Sequence, residues 1–313
     1  MKWGLHFEHY NTCCLVELKK PGYLVRNLPP LGIHDVHVRT LAGAISIGAE
    51  LPQWLEQDMT ETSYNYPLET GYESYGKVLA VGDAVQIVKP GDRVVGFYGH
   101  QDQAIVPESK VILVPAYVSP REALLLILSC DAAKGVRKLT LTPDTRVLVS
   151  GMGTIGLLTV HYLRHYVNVR QIDIIEPLAS RAELARQLGA HIVTPDSDTY
   201  DAAIECSGRQ AAFAELQSAV RPHGAIYVLS DGNRESLTLT PAFHAKELQI
   251  IASSDGWNYR QHADWLFSND RHATLPALFE QETSFSELAN CFAALMASTD
   301  LPIKVFVDYE QTS

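Results

Sequence analysis

Residues 147–156 read Val-Leu-Val-Ser-Gly-Met-Gly-Thr-Ile-Gly, and they restrict the fold of this chain more than any other segment. An apolar, β-type run enters Gly151-x-Gly153-x-x-Gly156, and residues 157–166 (LLTVHYLRHY) continue as a helix. About 20 residues beyond the last glycine, the apolar run 172–175 ends on an acid, Glu176. Strand, tight turn, helix, strand and terminal acid together make a dinucleotide-binding unit, which a lone glycine pattern would not establish.

Each residue type has a physical task in that unit. Gly151 permits the sharp turn, and Gly153 lets a pyrophosphate approach the backbone. Gly156 lets the helix lie close to the sheet. The amides that open the helix, at Thr154 and Ile155, have no intrahelical partners and face the diphosphate with the positive end of the dipole. Glu176 is placed to accept from the adenosine ribose, and a 2′-phosphate there would meet a carboxylate. NAD(H) is therefore the preferred cofactor, with NADP(H) kept open by Arg181, which either reaches a phosphate or is a solvated helix residue.

The rest of the composition narrows the class. Hydrophobic residues are 46% and charged residues 19%, as in a packed enzyme. A net charge of −11 leaves no basic surplus for nucleic acid. No apolar run approaches the length of a membrane span; the longest is 123–128. The opening MKWGLHFEHY lacks the apolar core of a signal peptide. Five cysteines without CxxC spacing suggest reduced thiols and a cytoplasmic setting.

Two regions differ in pattern. Up to about residue 115, short strands alternate with Gly/Pro turns, as in 76–82 and in Pro90-Gly91-Asp92-Arg93-Val94. Ser119-Pro120-Arg121-Glu122 reads as a helix start with Ser119 as N-cap. From 146 onward strands and helices alternate: strands at 146–149, 171–176, 192–193, 200–206, 225–229 and 248–252, helices at 179–188 and 211–220. That order predicts a parallel sheet covered by helices on both faces. Past 257 two helices and a strand at 303–307 are expected. The fold class is α/β.

Several motifs in register resemble the medium-chain dehydrogenase/reductase superfamily over nearly the whole chain. They are Gly71-Tyr72-Glu73-Ser74-Tyr75-Gly76-Lys77-Val78, Pro90-Gly91-Asp92-Arg93-Val94 and Asp201–Gly208. The resemblance implies a chaperonin-10-like β-barrel catalytic domain, residues 1–131 and 257–313, and a Rossmann domain, 132–256. It places Ser207 on the strand passing beneath the nicotinamide and gives Lys304 the role of a basic residue reaching the pyrophosphate. The chain is most similar in motif to the branch containing bacteriochlorophyllide hydroxyethyl dehydrogenase, which oxidises a secondary alcohol on a large ring.

The departures bear on mechanism. Where that superfamily holds zinc by Cys and His, this chain has Ser46 or Ile47, and Tyr72; only Glu73 and Cys130 keep ligand-type side chains. The four-cysteine structural-zinc lobe is also missing. These differences imply a zinc-independent member. Without a Lewis acid, hydrogen-bond donors must stabilise the oxygen that gains charge. Tyr72 is the first candidate donor, or else an aromatic of the pocket wall. Ser46 is a second donor or a local cap. Glu73 orients Tyr72 or is a structural acid, and Glu50 is a weaker acid candidate. His100 is a proton shuttle or an ordinary surface-loop histidine. Cys130 is read as an inert buried thiol. His161 and His165, four apart, are read as lying on a solvent or interface face.

The expected activity is zinc-independent, NAD(H)-dependent interconversion of a secondary alcohol and a ketone on a medium-to-large substrate. The alternatives are reduction of an enone double bond and a nucleotide-binding protein without catalysis. The expected partners are a small-molecule substrate and a second copy of the chain, through the edge strand near 248–252, with neither nucleic acid nor membrane.

Overall fold

The computed structural model of the chain describes residues 9–61, 63–230, 235–268 and 275–310. The signal-peptide reading of the opening segment falls largely on residues 1–8, outside the described residues.

The first part is strand-rich. A hairpin of β1 (His9–Glu17) and β2 (Lys20–Asn27) precedes β3 (Asp35–Ile45) and a short helix α1 (Ile47–Trp54). Then come β4 (Ser74–Val81), β5 (Arg93–Gly96), β6 (Gln103–Pro107) and β7 (Val111–Val114). Helices α2 (Pro120–Leu124) and α3 (Leu126–Lys138) lead out of it. Ser119 caps α2 as its sequence predicts: Glu122 N–H donates to Ser119 Oγ at 3.3 Å, and Ser119 N–H donates to the Glu122 carboxylate at 2.9 Å.

The second part alternates: β8 (Arg146–Ser150), α4 (Thr154–Tyr162), β9 (Gln171–Ile175), α5 (Ala179–Gln187), β10 (His191–Ile192), β11 (Tyr200–Glu205), α6 (Gln210–Ala219), β12 (Val220–Val228), α7 (Pro241–Ala245) and β13 (Gln249–Ala252). The tail holds α8 (Tyr259–Phe267), β14 (Phe279–Ser284), α9 (Leu288–Ala297) and β15 (Lys304–Asp308).

Among the described residues, six strands form one sheet in the order β10-β9-β8-β11-β12-β13, every pair parallel. Central β8 is buried along Val147–Ser150, so its apolar run is continuous where a strand with one wet face would alternate. Strand order turns around at β8, with β9 on one side and β11 on the other, and a crevice at the C-terminal ends of such strands is where ligands bind.

The other large sheet runs β14-β15-β3-β4-β5-β7, with β6 also on β3. Strand β15 of the tail lies antiparallel to β3, Val305 opposite Ile45 and Asp308 opposite Ala42. One core cluster joins both sheets through α3, combining Leu41 and Tyr75 with Val147, Val149 and Ile174.

Most predicted elements are present within a residue or two. The last strand is 304–308, not 303–307. The predicted turn at 221–224 lies inside β12, which begins at Val220; the turn survives as His223 at φ 64 and a shift in the β11–β12 register. The β1–β2 hairpin and β14 have no counterpart in the expectation; β14, Phe-Glu-Gln-Glu-Thr-Ser, carries no apolar alternation and is held at the sheet's end by its backbone pairing with β15.

One face assignment is corrected. His161 lies on no solvent face: it is fully buried, its ring 4.6 Å from His165 and 6.0 Å from Trp265. Helix α8, far along the chain, covers this side of α4, which is apolar nearly all round and so cannot reveal an outward face. Among the described residues no helix is long and apolar enough to cross a membrane.

Candidate active site

The turn after β8 has the geometry its glycines suggest. Gly151 sits at φ +82, and a Cβ there would lie 2.7 Å from Ser207 Cα. A Cβ on Gly156 would stand 1.8 Å from the Gly151 carbonyl oxygen, so helix and turn touch through the missing side chain. Gly153 is the reverse case: a Cβ there meets nothing within 4 Å. The space above its backbone is open beside the free amides that start α4, a cradle that suits a pyrophosphate. These residues fit a dinucleotide.

Glu176 closes one side of the turn. Its carboxylate accepts from Met152 N–H at 2.7 Å and from Leu178 N–H at 2.8 Å, which fixes it at the end of β9. Ile155 packs against the large core cluster. Thr154 donates through Oγ1 to the Ile303 carbonyl at 3.1 Å, and Arg181 donates to the Leu301 carbonyl at 2.8 Å. Thr154 thus ties the tail to the start of α4, and Arg181 ties it to α5.

The next residue of the tail overturns an expectation. Lys304 is fully buried and its ammonium pairs with Glu73 Oε2 at 2.5 Å. It is committed to the strand-rich part of the molecule and does not point at the pyrophosphate cradle. The Ser207 hydroxyl donates to Glu205 and accepts from Arg209 N–H at 3.1 Å, beside the Gly151 turn. Residues 303 and 304 therefore bridge the two halves of the site, one bonded to Thr154 and the other to Glu73.

On the far side of that bridge, Tyr72 donates through its hydroxyl to Ser46 Oγ at 2.8 Å. Ser46 is itself held, because its N–H donates to Glu50 Oε1 at 2.8 Å. Glu50 Oε2 then accepts from Thr70 Oγ1 at 2.8 Å and lies 2.7 Å from His100 Nε2. Trp54 Nε1 donates to Thr70 Oγ1 at 2.8 Å. Tyr72, Ser46, Glu50, Thr70, Trp54 and His100 thus form one network.

His100 is no surface-loop histidine: it is 2% exposed and sits edge-on to Phe292. Its place requires Gly71, at φ +91, where a Cβ would stand 2.8 Å from Nε2. Thr70 has no counterpart in the expectation, and Trp54 enters it only as one of several aromatics of this region, not as a donor. The only hint in the sequence was their nearness to Glu50 and Gly71.

Burial sets the acidities here. Tyr72 is pushed well above the usual phenol range by burial and by the Glu73 charge, so it stays a donor. Burial also pushes the Glu73 carboxyl up, and the Lys304 ammonium offsets only part of this. Glu73 Oε1 has no hydrogen-bond partner. Burial works against ionisation of Glu50 too, but the charge and hydrogen bond of His100, with the Ser46 and Thr70 donors, outweigh it and hold Glu50 below the usual carboxylate range.

A second pair was missed entirely. Tyr259 donates to Asp131 Oδ1 at 2.8 Å and packs edge-on against Phe97, 4.8 Å between centroids. Burial pushes Asp131 up to about 7. Its neighbour Cys130 is buried and pushed up by burial to about 11, which leaves it an unreactive thiol, as read from the sequence.

Among the described residues no three His, Cys, Asp or Glu side chains come together in a way that could hold a metal ion. Ser46 Oγ and Tyr72 Oη are neutral and bonded to each other, and Glu73 is bonded to Lys304. That set does not fit zinc, which takes thiolate, imidazole or carboxylate.

No family model matches the chain. It is 24% identical over 263 residues to an L-threonine 3-dehydrogenase of Legionella pneumophila, covering 69% of this chain and 76% of that one. It superposes on a Sinorhizobium meliloti protein described as a zinc-binding dehydrogenase bound to NADP. The TM-score is 0.82 at 19% identity, covering 96% of this chain and 99% of the other. A short chain alcohol dehydrogenase of Escherichia coli complexed with NADH gives 0.82 at 18% identity, covering 96% and 100%.

Proposed function

The chain belongs to the medium-chain dehydrogenase/reductase superfamily and is an NAD(P)-dependent dehydrogenase of that type, and from that premise we propose that it reduces a ketone to a secondary alcohol, or the reverse, with NAD(H) and without zinc. The observation that carries this reading is the hydrogen bond from Tyr72 to Ser46, two neutral side chains in the region where the resemblance would set zinc ligands.

A bound nicotinamide would supply or take up the hydride. The chain's own residues must bind the substrate oxygen and manage its proton. Tyr72 holds its proton firmly, since burial and Glu73 keep the phenol neutral. A neutral phenol remains a hydrogen-bond donor, and its hydroxyl, turned from Ser46 Oγ toward a bound carbonyl, would donate to the oxygen that gains charge. The Ser46 backbone is fixed by Glu50, and Glu50 by His100 and Thr70, so the donor pair rests on a rigid base. In this reading His100 acts through Glu50 and does not shuttle protons itself.

Preference for NAD(H) is supported by Glu176, whose carboxylate is fixed beside the cradle, where a 2′-phosphate would bring like charge. Arg181 is turned to the Leu301 carbonyl. We take residues 132–256 as the cofactor-binding unit, and the exposed edge of β13 as the contact of a homodimer, which scattering in solution would check.

The deciding experiment follows NADH absorbance with a bulky aryl methyl ketone and the matched enone in metal-free buffer. Oxidation of NADH by the ketone alone, lost in Tyr72→Phe, is the expected result. Turnover of the enone alone would overturn the reading.

A further inference from the structure

Glu205 ends β11, and none of it is exposed. Its Oε1 accepts from Ser207 N–H at 2.7 Å, Gly208 N–H at 3.1 Å, Ser150 Oγ at 3.3 Å and the Ser207 hydroxyl. Its Oε2 accepts from Gly208 N–H at 3.3 Å and from the Ser230 hydroxyl. Its main-chain carbonyl takes Leu229 N–H at 2.9 Å and Ser230 N–H at 3.2 Å. Every donor is a neutral hydroxyl or amide. Together they come from the last residue of β8, the loop after β11 and the residues just past β12.

This side chain stands directly behind the cradle. The loop it holds, 206–208, closes on Gly151, whose absent Cβ would be 2.7 Å from Ser207 Cα and 2.8 Å from Ser207 N. Cys206 N–H donates to the Ser150 carbonyl at 2.9 Å, which completes the contact. In the six-stranded sheet Glu176 lies at β9, on one side of β8, and marks the adenosine half of the crevice. Glu205 lies at β11, on the other side, where the opposite half of a dinucleotide must run.

We propose that Glu205 is a positioning residue for the nicotinamide half of the cofactor site. One buried carboxyl gathers the ends of three parallel strands and fixes the spacing between the Gly151 turn and the ends of β11 and β12. The inference rests on the cofactor reading above. Glutamine in its place keeps the shape but turns an acceptor into a donor, so amides and hydroxyls aimed at it lose their partner.

The test compares NADH with ADP, which fills the adenosine half alone, by calorimetry on the full chain. Glu205→Gln should weaken NADH by roughly tenfold or more, the scale of one lost hydrogen bond to a charged group, and leave ADP unchanged. A purely structural carboxyl would weaken both ligands equally or neither, and either result would overturn the proposal. Should Glu205→Gln fail to fold, Ser230→Ala removes a single strut at β12 and must show the same selective loss. A wild-type chain that binds ADP and NADH equally well would overturn it too. A wild type that binds neither would overturn the cofactor reading itself.

Discussion

Glu73 and Lys304 stand 231 residues apart in the chain and meet in an ion pair that no water reaches, 1% and 0% exposed at their side chains. A buried pair of this kind is costly to break, since removing one partner strands the other's charge. Lys304→Met should therefore destabilise the protein by about 3–5 kcal/mol, while the double variant Lys304→Met, Glu73→Gln regains most of that loss. Thermal or urea unfolding of the wild type, the single variant and the double variant measures it. Equal losses in the single and double variants would show that the pair itself matters little.

The Tyr72–Ser46 pair predicts graded losses of rate. Tyr72→Phe removes the donor and should lower kcat about a hundredfold with little change in NADH affinity. Ser46→Ala, which leaves the phenol in place, should cost only about tenfold. Steady-state kinetics with a ketone substrate checks both, and a larger loss at Ser46 would reverse the assigned roles.

Two glycines of one turn should respond in opposite ways. Gly156→Ala places a methyl 1.8 Å from the Gly151 carbonyl and should destabilise the fold by about 3 kcal/mol. Gly153→Ala meets nothing in the protein, so the melting temperature should barely move while NADH binding falls at least about tenfold. Melting curves and binding isotherms separate the two effects.

Asp131 predicts a pH dependence of stability. Its pKa rises from an ordinary 3.8 to about 7 on folding, because burial disfavours the charged form. Between those values the folded protein holds more protons than the unfolded chain, so this group's contribution is full below pH about 4 and is lost as pH rises through about 7. Asp131→Asn removes the titration. Its stability relative to wild type should therefore be greater at pH 8 than at pH 4, by on the order of 2 kcal/mol. Denaturant melts at the two pH values would refute this if the difference were flat.

The legible part of the site was local in sequence. Gly151, Gly153, Gly156 and Glu176 lie within one βαβ unit, and backbone sterics dictate their types almost alone. Tyr72 could be placed because it departs from a motif, and the departure itself was informative. Lys304 was misread because its position was known but its partner was not, and nothing near it in sequence points to Glu73. The outward reading of His161 and the surface-loop alternative for His100 fail for the same reason: Trp265 and Phe292, which cover them, belong to the tail. Glu205 went unnoticed inside the run Ala202-Ala203-Ile204-Glu205-Cys206, because its donors come from loops that only the folded sheet brings together.

The place of β15 between β14 and β3 has a consequence for synthesis. A chain emerging from the ribosome makes β3 (ending at Ile45) and its partners β4 and β6 well before β15, which begins only at Lys304. Until then the flank of β3 along Ala42–Ile45 has no strand beside it, and Glu73 has no ammonium to share its burial. The parallel sheet 146–252 closes from its own segments and can form earlier. The parallel sheet would thus be able to close while β15 is still to be made, and the strand-rich sheet would gain the flank of β3 only afterwards.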